Sequence, residues 1–370
     1  MSITRKSSAL EHLEERYGSD EDLSYLPENF FEMVDELPKF IRSRVAVYYP
    51  EIGQIPCSVR NMAVMHSTYP IFAFRIASPG FVKDIYVKFA PVYPHKNEGL
   101  VEYNNLQQVH KCFHKGRGYC SPRPLEFIHE LNALVTEGVA GVPFREVLLR
   151  DNWIGASDCK RNNLKQIVQR CGYWLREFHE AGGIEFVPFE LEGEKGGVVP
   201  TGKPGNMPRS GQISGWVNER IKASIDGFPR NAPIPVSRVH GDLALDNILV
   251  NGQDINVLDV SYDKKDLIFE DVASFLANLV TINTLPMHPL YNLNYVGELN
   301  NSFLAAYGIL DYPDHGPLLR ACLIKAVFGR FESQVKSLKS RIPGRLCLIP
   351  MVYLRRKYDR ILNNISNGAL

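Results

Sequence analysis

The stretch Val239-His-Gly-Asp-Leu-Ala-Leu-Asp-Asn-Ile-Leu-Val250, followed by Ile255-Asn-Val-Leu-Asp259, constrains this chain more than any other. Apolar residues at 248–250, a turn at Asn251-Gly252 and a second apolar run ending in Asp259 predict a β-hairpin. Folding it brings Asn247 and Asp259, at the outer ends of the two strands, close together. Asp242 starts the same loop, five residues before Asn247. Two carboxylates and an amide oxygen then converge, all hard oxygen donors suited to Mg²⁺. Phosphoryl transfer needs such a set: one carboxylate to orient an attacking hydroxyl, and an Asn/Asp pair to hold metal on phosphates. A purely structural hairpin, whose Asn and Asp only make turns, leaves this spacing unexplained.

The rest of the chain bounds the setting. At 370 residues it is too long for one compact core, and 45% hydrophobic with 22% charged residues excludes a mainly disordered protein. A net charge of +1 argues against a general nucleic-acid binder. No apolar run approaches the roughly 18 residues of a membrane span. The N-terminus is charged where a signal peptide needs an apolar stretch, and the seven cysteines include no CxxC pair. A cytoplasmic location is therefore expected.

Charge is distributed unevenly. Residues 1–40 hold ten Asp/Glu against four Lys/Arg, and residues 330–360 hold nine Lys/Arg against two Asp/Glu. The acidic end reads as one or two short helices broken near Pro27 and Pro38. Strand patterns follow at 60–65, 71–76 and 85–89, a helix at 99–113 and a strand at 133–136. Beyond residue 140 the pattern is largely helical, with an amphipathic helix at 164–180 and further helices near 293–309, 316–338 and 345–365. Residues 193–215, with seven glycines and three prolines, read as a long loop.

The string HGDLALDN with an Asp twelve residues on resembles the catalytic and metal loops of the protein-kinase-like fold. It is most similar to the aminoglycoside phosphotransferase and choline kinase branch, which carries His-Gly-Asp there. Asp271-Val-Ala273 resembles a further family motif at the family's offset from Asp259. Upstream, Lys88 in Tyr86-Val-Lys-Phe resembles the nucleotide-phosphate lysine. Glu102, opening Glu-Tyr-Asn-Asn-Leu106, resembles the glutamate that pairs with it. Ala133 to Val139 resembles the strand and hinge bordering adenine, with Glu137 and Val139 at its end. The helix ending in Leu175-Arg-Glu-Phe-His179 resembles the one before the catalytic loop. There is no GxGxxG before Lys88, so the phosphate loop falls on 65–70, with Ser67 and Thr68 as its hydroxyl donors.

The resemblance, which covers roughly residues 60–280, implies an α+β, two-lobed protein-kinase-like fold: a small antiparallel sheet with one helix, then a mostly helical lobe. It divides the chain into an acidic helical extension at 1–44, a nucleotide-binding lobe at 45–138 and a helical lobe at 139–370. The last holds the catalytic loop at 240–247, Asp259 and substrate-selecting C-terminal helices. The implied activity is a Mg²⁺-dependent kinase that moves the γ-phosphoryl group of ATP, with GTP as the open alternative, to a hydroxyl of a small metabolite. Asp242 is the catalytic carboxylate, Asn247 and Asp259 the metal ligands. His240 is structural in this reading, and Asp271 holds backbone. The twelve-residue gap to Asp271 leaves no room for a regulated protein kinase's activation segment. The rivals are a catalytically silent binding module, a protein-directed kinase and an AMP transferase. A zinc site at His110, Cys112, His114 and Cys120 is disfavoured, because Cys112 points away from the two histidines on a helix. The basic C-terminal stretch reads as a solvated helical face, with an anionic substrate group or peripheral membrane contact as its functional options.

Overall fold

The computed structural model describes residues 30–52, 56–66, 70–89, 98–113, 116–189, 215–262, 264–282, 293–341 and 348–366. The chain forms two units, one of residues up to 111 together with 121–139, the other of 112–120 and 140 onward.

Among the described residues the first unit is an antiparallel sheet with two α-helices. Strands β1 (Ser58–His66), β2 (Pro70–Ser78) and β3 (Phe81–Phe89) form a meander, and helix α2 (Glu98–Cys112) comes next in this unit after α1 (Phe30–Tyr48). The chain then leaves for β4 (Tyr119–Cys120) in the second unit and returns as β5 (Pro124–Ile128) and β6 (Ala133–Glu137). The strand order is β1-β2-β3-β6-β5. Period-2 alternation decides the faces. Phe72, Phe74, Ile76, Ile85, Val87 and Phe89 point to one side, where α1 buries Val34, Leu37, Ile41, Val45 and Tyr48 on them.

Helix α1 corrects the expectation of a break at Pro38. It runs unbroken for 19 residues with Pro38 inside. Proline removes one backbone donor and costs a helix interior about 3 kcal/mol. Five buried side chains at helical spacing, each stabilising by roughly 1.5–3 kcal/mol, outweigh that. The Arg44 guanidinium and the Tyr48 hydroxyl also hold the Glu126 carboxylate of β5, the latter at 2.6 Å.

The second unit is mostly helical. After β7 (Val142–Pro143) come α3 (Phe144–Asp151) and α4 (Asp158–Ala181), then β8 (Glu185–Pro188), α5 (Gly215–Ile225) and β9 (Pro233–Arg238). The hairpin β10 (Ile248–Asn251) and β11 (Asp254–Val257) follows, then β12 (Lys265–Leu267) and the helices α6 (Phe269–Thr281), α7 (Leu293–Tyr307), α8 (Gly316–Arg341) and α9 (Leu348–Ser366). Helix α4 packs on α7, and α8 packs on α5, α6 and α9. Phe275 of α6 stacks on Phe303 of α7 at 4.2 Å, and within α4 Trp174 stacks on Phe178, one turn along, at 5.0 Å. An antiparallel-sheet unit followed by a mostly helical one is the α+β organisation expected from the sequence. The loop expected at 193–215 lies almost wholly outside the described residues.

Candidate active site

The loop from His240 to Asn247 is held from beneath by one buried carboxylate. Asp271, in the first turn of α6 and 1% exposed, accepts the backbone N–H of His240 at 2.6 Å and of Gly241 at 2.9 Å. It also accepts His179 Nε2–H of α4 at 3.0 Å, and the other ring nitrogen of His179 pairs with the Tyr307 hydroxyl at 2.9 Å. Burial works to raise the Asp271 pKa, but the His179 hydrogen bond and charge, with His240, outweigh it and hold the carboxyl below its ordinary range. Gly241 adopts φ +79°, and a Cβ there would meet the Tyr262 ring at 2.9 Å, so only glycine fits. His240 turns the next corner. Its Nδ1 accepts the N–H of Asp242 at 3.3 Å, so Nε2 carries the proton and donates to the Leu258 carbonyl at 2.9 Å. The result is an exposed Asp242 side chain on a pinned backbone.

The hairpin then supplies the other oxygens. Ile248 pairs with Val257, and Asn251 with Asp254, so the turn is Gly252-Gln253, one residue later than expected. Past the ladder, the N–H of Leu258 donates to the Asn247 carbonyl at 2.8 Å, which sets Asn247 beside the segment carrying Asp259. The Asn247 amide nitrogen donates to the Asp242 carbonyl at 3.0 Å and lies 3.4 Å from its carboxylate, leaving the amide oxygen for a cation. Asp259 sits at φ +62°, an uncommon conformation for a residue other than glycine and one that clusters at functional sites. Mg²⁺ is characteristically held by one or two carboxylates together with substrate phosphates, keeping several waters, and this all-oxygen set fits it.

In the first unit, Lys88 on β3 and Glu102 on α2 form an ion pair at 2.8 Å, with side chains 18% and 7% exposed. Lys88 lies on the sheet face opposite the one α1 covers, because it alternates with Val87 and Phe89. Glu137 pairs with Ile85, three residues along β3 from Lys88, or about 10 Å. Its carboxylate is engaged by Lys83 and by Arg123, the latter at 3.5 Å. Gly138 donates to the Asp84 carbonyl at 2.6 Å, and half-buried Val139 ends the unit. Ser67 and Thr68 lie outside the described residues, as does His114 of the disfavoured zinc cluster. His110 is bonded to the Ser121 carbonyl at 2.8 Å, and no group of three His, Cys, Asp or Glu among the described residues could hold a metal. No described helix is long and apolar enough to cross a membrane.

No protein-family model matches the sequence, and no curated protein is similar to it. Solved structures are. A choline/ethanolamine kinase family protein from Mesorhizobium loti aligns at TM-score 0.43 and 13% identity, over 89% of this chain and 99% of that one. A choline kinase from Cryptosporidium parvum aligns at 0.49 and 11%, over 90% and 97%. An aminoglycoside phosphotransferase in ternary complex with AMP-PNP and hygromycin B aligns at 0.44 and 13%, over 88% and 99%. These proteins belong to the branch that the His-Gly-Asp motif resembles. At such TM-scores the functional reading rests on the side chains.

Two arginines escape a reading by motif. Arg145 on α3 pairs with Asp246 at 3.3 Å, and half-buried Arg330 on α8 is attracted by Asp242 and Asp246. The available signal was a charged residue inside the apolar run Ala326-Val-Phe-Gly-Arg-Phe331. Nothing in the sequence says which loop that run meets.

Proposed function

We propose that this chain is a Mg²⁺-dependent small-molecule kinase that transfers the γ-phosphoryl group of ATP to a hydroxyl. The observation that carries the reading is the convergence of Asp242, Asn247 and the Asp259 segment on a loop whose backbone Asp271 and His240 fix. Asp242 takes the acceptor hydroxyl's proton as its oxygen bonds to the γ-phosphorus and the bond to the ADP oxygen breaks. An exposed carboxylate suffices, because a loose transition state gives up that proton late. Asn247 and Asp259 would hold Mg²⁺, which when bound neutralises phosphate charge. Lys88, oriented by Glu102, would bind nucleotide phosphate oxygens. Glu137 contributes to the hinge through its backbone, since its side chain is occupied. Choline, glucosamine and aminoglycosides, the small molecules on which the similar proteins are named as acting or with which they are complexed, support a metabolite acceptor.

The test is thermal unfolding with and without ATP·Mg²⁺, beside Asp259→Ala, followed by ADP release with hydroxylated metabolites. A ligand at a hundred times its Kd stabilises by about 2.7 kcal/mol. A Mg²⁺-dependent rise in Tm that Asp259→Ala removes is expected. Asp242→Asn is expected to keep that rise and to lose turnover at least about a hundredfold. No rise with ATP, GTP or ADP would make the chain a silent binding module, and a half-active Asp242→Asn would remove Asp242 from its role.

A further inference from the structure

Beside the catalytic loop the second unit holds a cavity of about 260 Å³. Asp246 of the loop and Arg145 of α3 form one wall, Asn278 and Thr281 of α6 another, and Arg330 and Ser337 of α8 a third. The size suits a small acceptor, since drug-sized ligands occupy roughly 300–1,000 Å³. Asn278 ties the cavity to the loop, donating to the Leu243 carbonyl at 3.5 Å and to the Ser274 carbonyl at 2.8 Å.

The charges in this cavity are unbalanced. Its one acidic lining residue among those described, Asp246, is already paired with Arg145. Among the described residues, no carboxylate lies within ion-pair distance of the Arg330 guanidinium. Burial lowers the Arg330 pKa, and attraction from Asp242, Tyr358 and Asp246 does not offset it. A partly desolvated guanidinium is costly without a partner, and its planar donor fork matches a carboxylate or phosphate. Among the described residues a cationic acceptor would meet the opposite: two lining arginines, no unpaired lining carboxylate and no lining aromatic ring to receive it.

We infer that this cavity is an acceptor subsite for a small hydroxylated anion, whose carboxylate or phosphate is bound by Arg330 with Arg145 beside it while its hydroxyl faces Asp242. The inference rests on the kinase reading for the reaction, but its binding half stands alone. The reaction that supplies such an acceptor must itself leave an acid or phosphate group on it.

The experiment fills the nucleotide site with ADP·Mg²⁺ and compares Tm with glycerate, glycerol 3-phosphate, glycerol and choline at matched ionic strength. Glycerate or glycerol 3-phosphate is expected to raise Tm by roughly 2–4 °C, glycerol and choline not. Which of the two acts tells carboxylate from phosphate. Arg330→Met is expected to abolish the response and Arg355→Met, on the exposed face of α9, to keep it. Should Arg330→Met fail to fold, Ser337→Asp places a carboxylate in the cavity at an exposed position and is expected to abolish it too. In ADP release, an anionic acceptor is expected to be turned over, with Arg330→Met raising KM at least about tenfold and leaving kcat nearly unchanged. The inference is overturned if neither anion shifts Tm, if choline shifts it as much, or if the variants keep the anion response. A loss of kcat at constant KM overturns it as well, by making Arg330 a partner of Asp242. Failure of the ATP·Mg²⁺ shift bears on the kinase reading instead, and an Arg330-dependent anion response would survive it.

Discussion

Asp271 shows how much a single buried carboxylate organises. It receives two backbone N–H groups and one imidazole N–H, so its charge is fully used where water cannot reach. Replacing it by asparagine keeps the shape but turns an acceptor into a donor aimed at donors. The cost of a buried hydrogen-bonded charge losing its role is about 3 kcal/mol. Asp271→Asn is therefore expected to lower stability in urea unfolding by that amount. It should also speed hydrogen exchange at the amides of His240 and Gly241, which a remote destabilisation would not single out. Unchanged protection at those two amides would mean that the loop is held by something else. The sequence made the neighbouring Asp242 and Asn247 legible because five residues of chain fix their separation. The family resemblance also marked Asp271, through the family's offset from Asp259. Tyr307, the partner of His179, and Arg330 were not legible, since 36 and 59 residues beyond Asp271 only packing decides what they meet.

At the scale of elements, local pattern placed several of the elements that bury one face. The meander β1 to β3, helix α2, the hairpin β10 to β11 and the closing helices α7 to α9 all lie where periodicity put them, within a few residues. Helix α1 is the exception, because proline is a strong local signal and tertiary burial is invisible from the sequence around it. That competition can be measured. Pro38→Ala restores the backbone donor facing the Val34 carbonyl, and alanine is the best helix former. Since α1 is already continuous, the substitution is expected to stabilise the protein by roughly 1–3 kcal/mol and to raise Tm. A fall in Tm would show instead that the bend imposed by proline is needed to seat Leu37 and Ile41 on the sheet. The turn of the hairpin was misplaced by one residue for a similar reason. Asn251-Gly252 is the stronger turn signal, yet the Asn251–Asp254 pair keeps Ile248, Val250, Ile255 and Val257 on the buried side.

For the whole molecule, buried Asp271 and half-buried Asp266 of the second unit pull stability in opposite directions with pH. Asp271, held below its ordinary range, contributes stability that is present above the unfolded pKa and is lost as pH falls through the folded one. Asp266 does the reverse. Burial, with Glu270 and Asp271 adding to it, pushes its pKa from 3.8 up to about 6, against the Leu267 N–H and Lys325 that lower it. The native state then binds more protons than the unfolded chain between those two values. Stability from this group is complete below pH 3.8, falls as pH rises through the window and is flat above about 6. Partial solvent access discounts the loss to roughly 1–3 kcal/mol. An asparagine in its place has no proton to lose, and its carbonyl oxygen can still accept the Leu267 N–H now bonded at 2.8 Å. Asp266→Asn is thus expected to be more stable than wild type by that amount at pH 7.5, with the difference closing towards pH 4. Urea unfolding of both proteins across this range reads the difference directly. Parallel curves would mean that Asp266 is ionised at no cost, with Lys325, already paired to Glu270 at 2.7 Å, neutralising both.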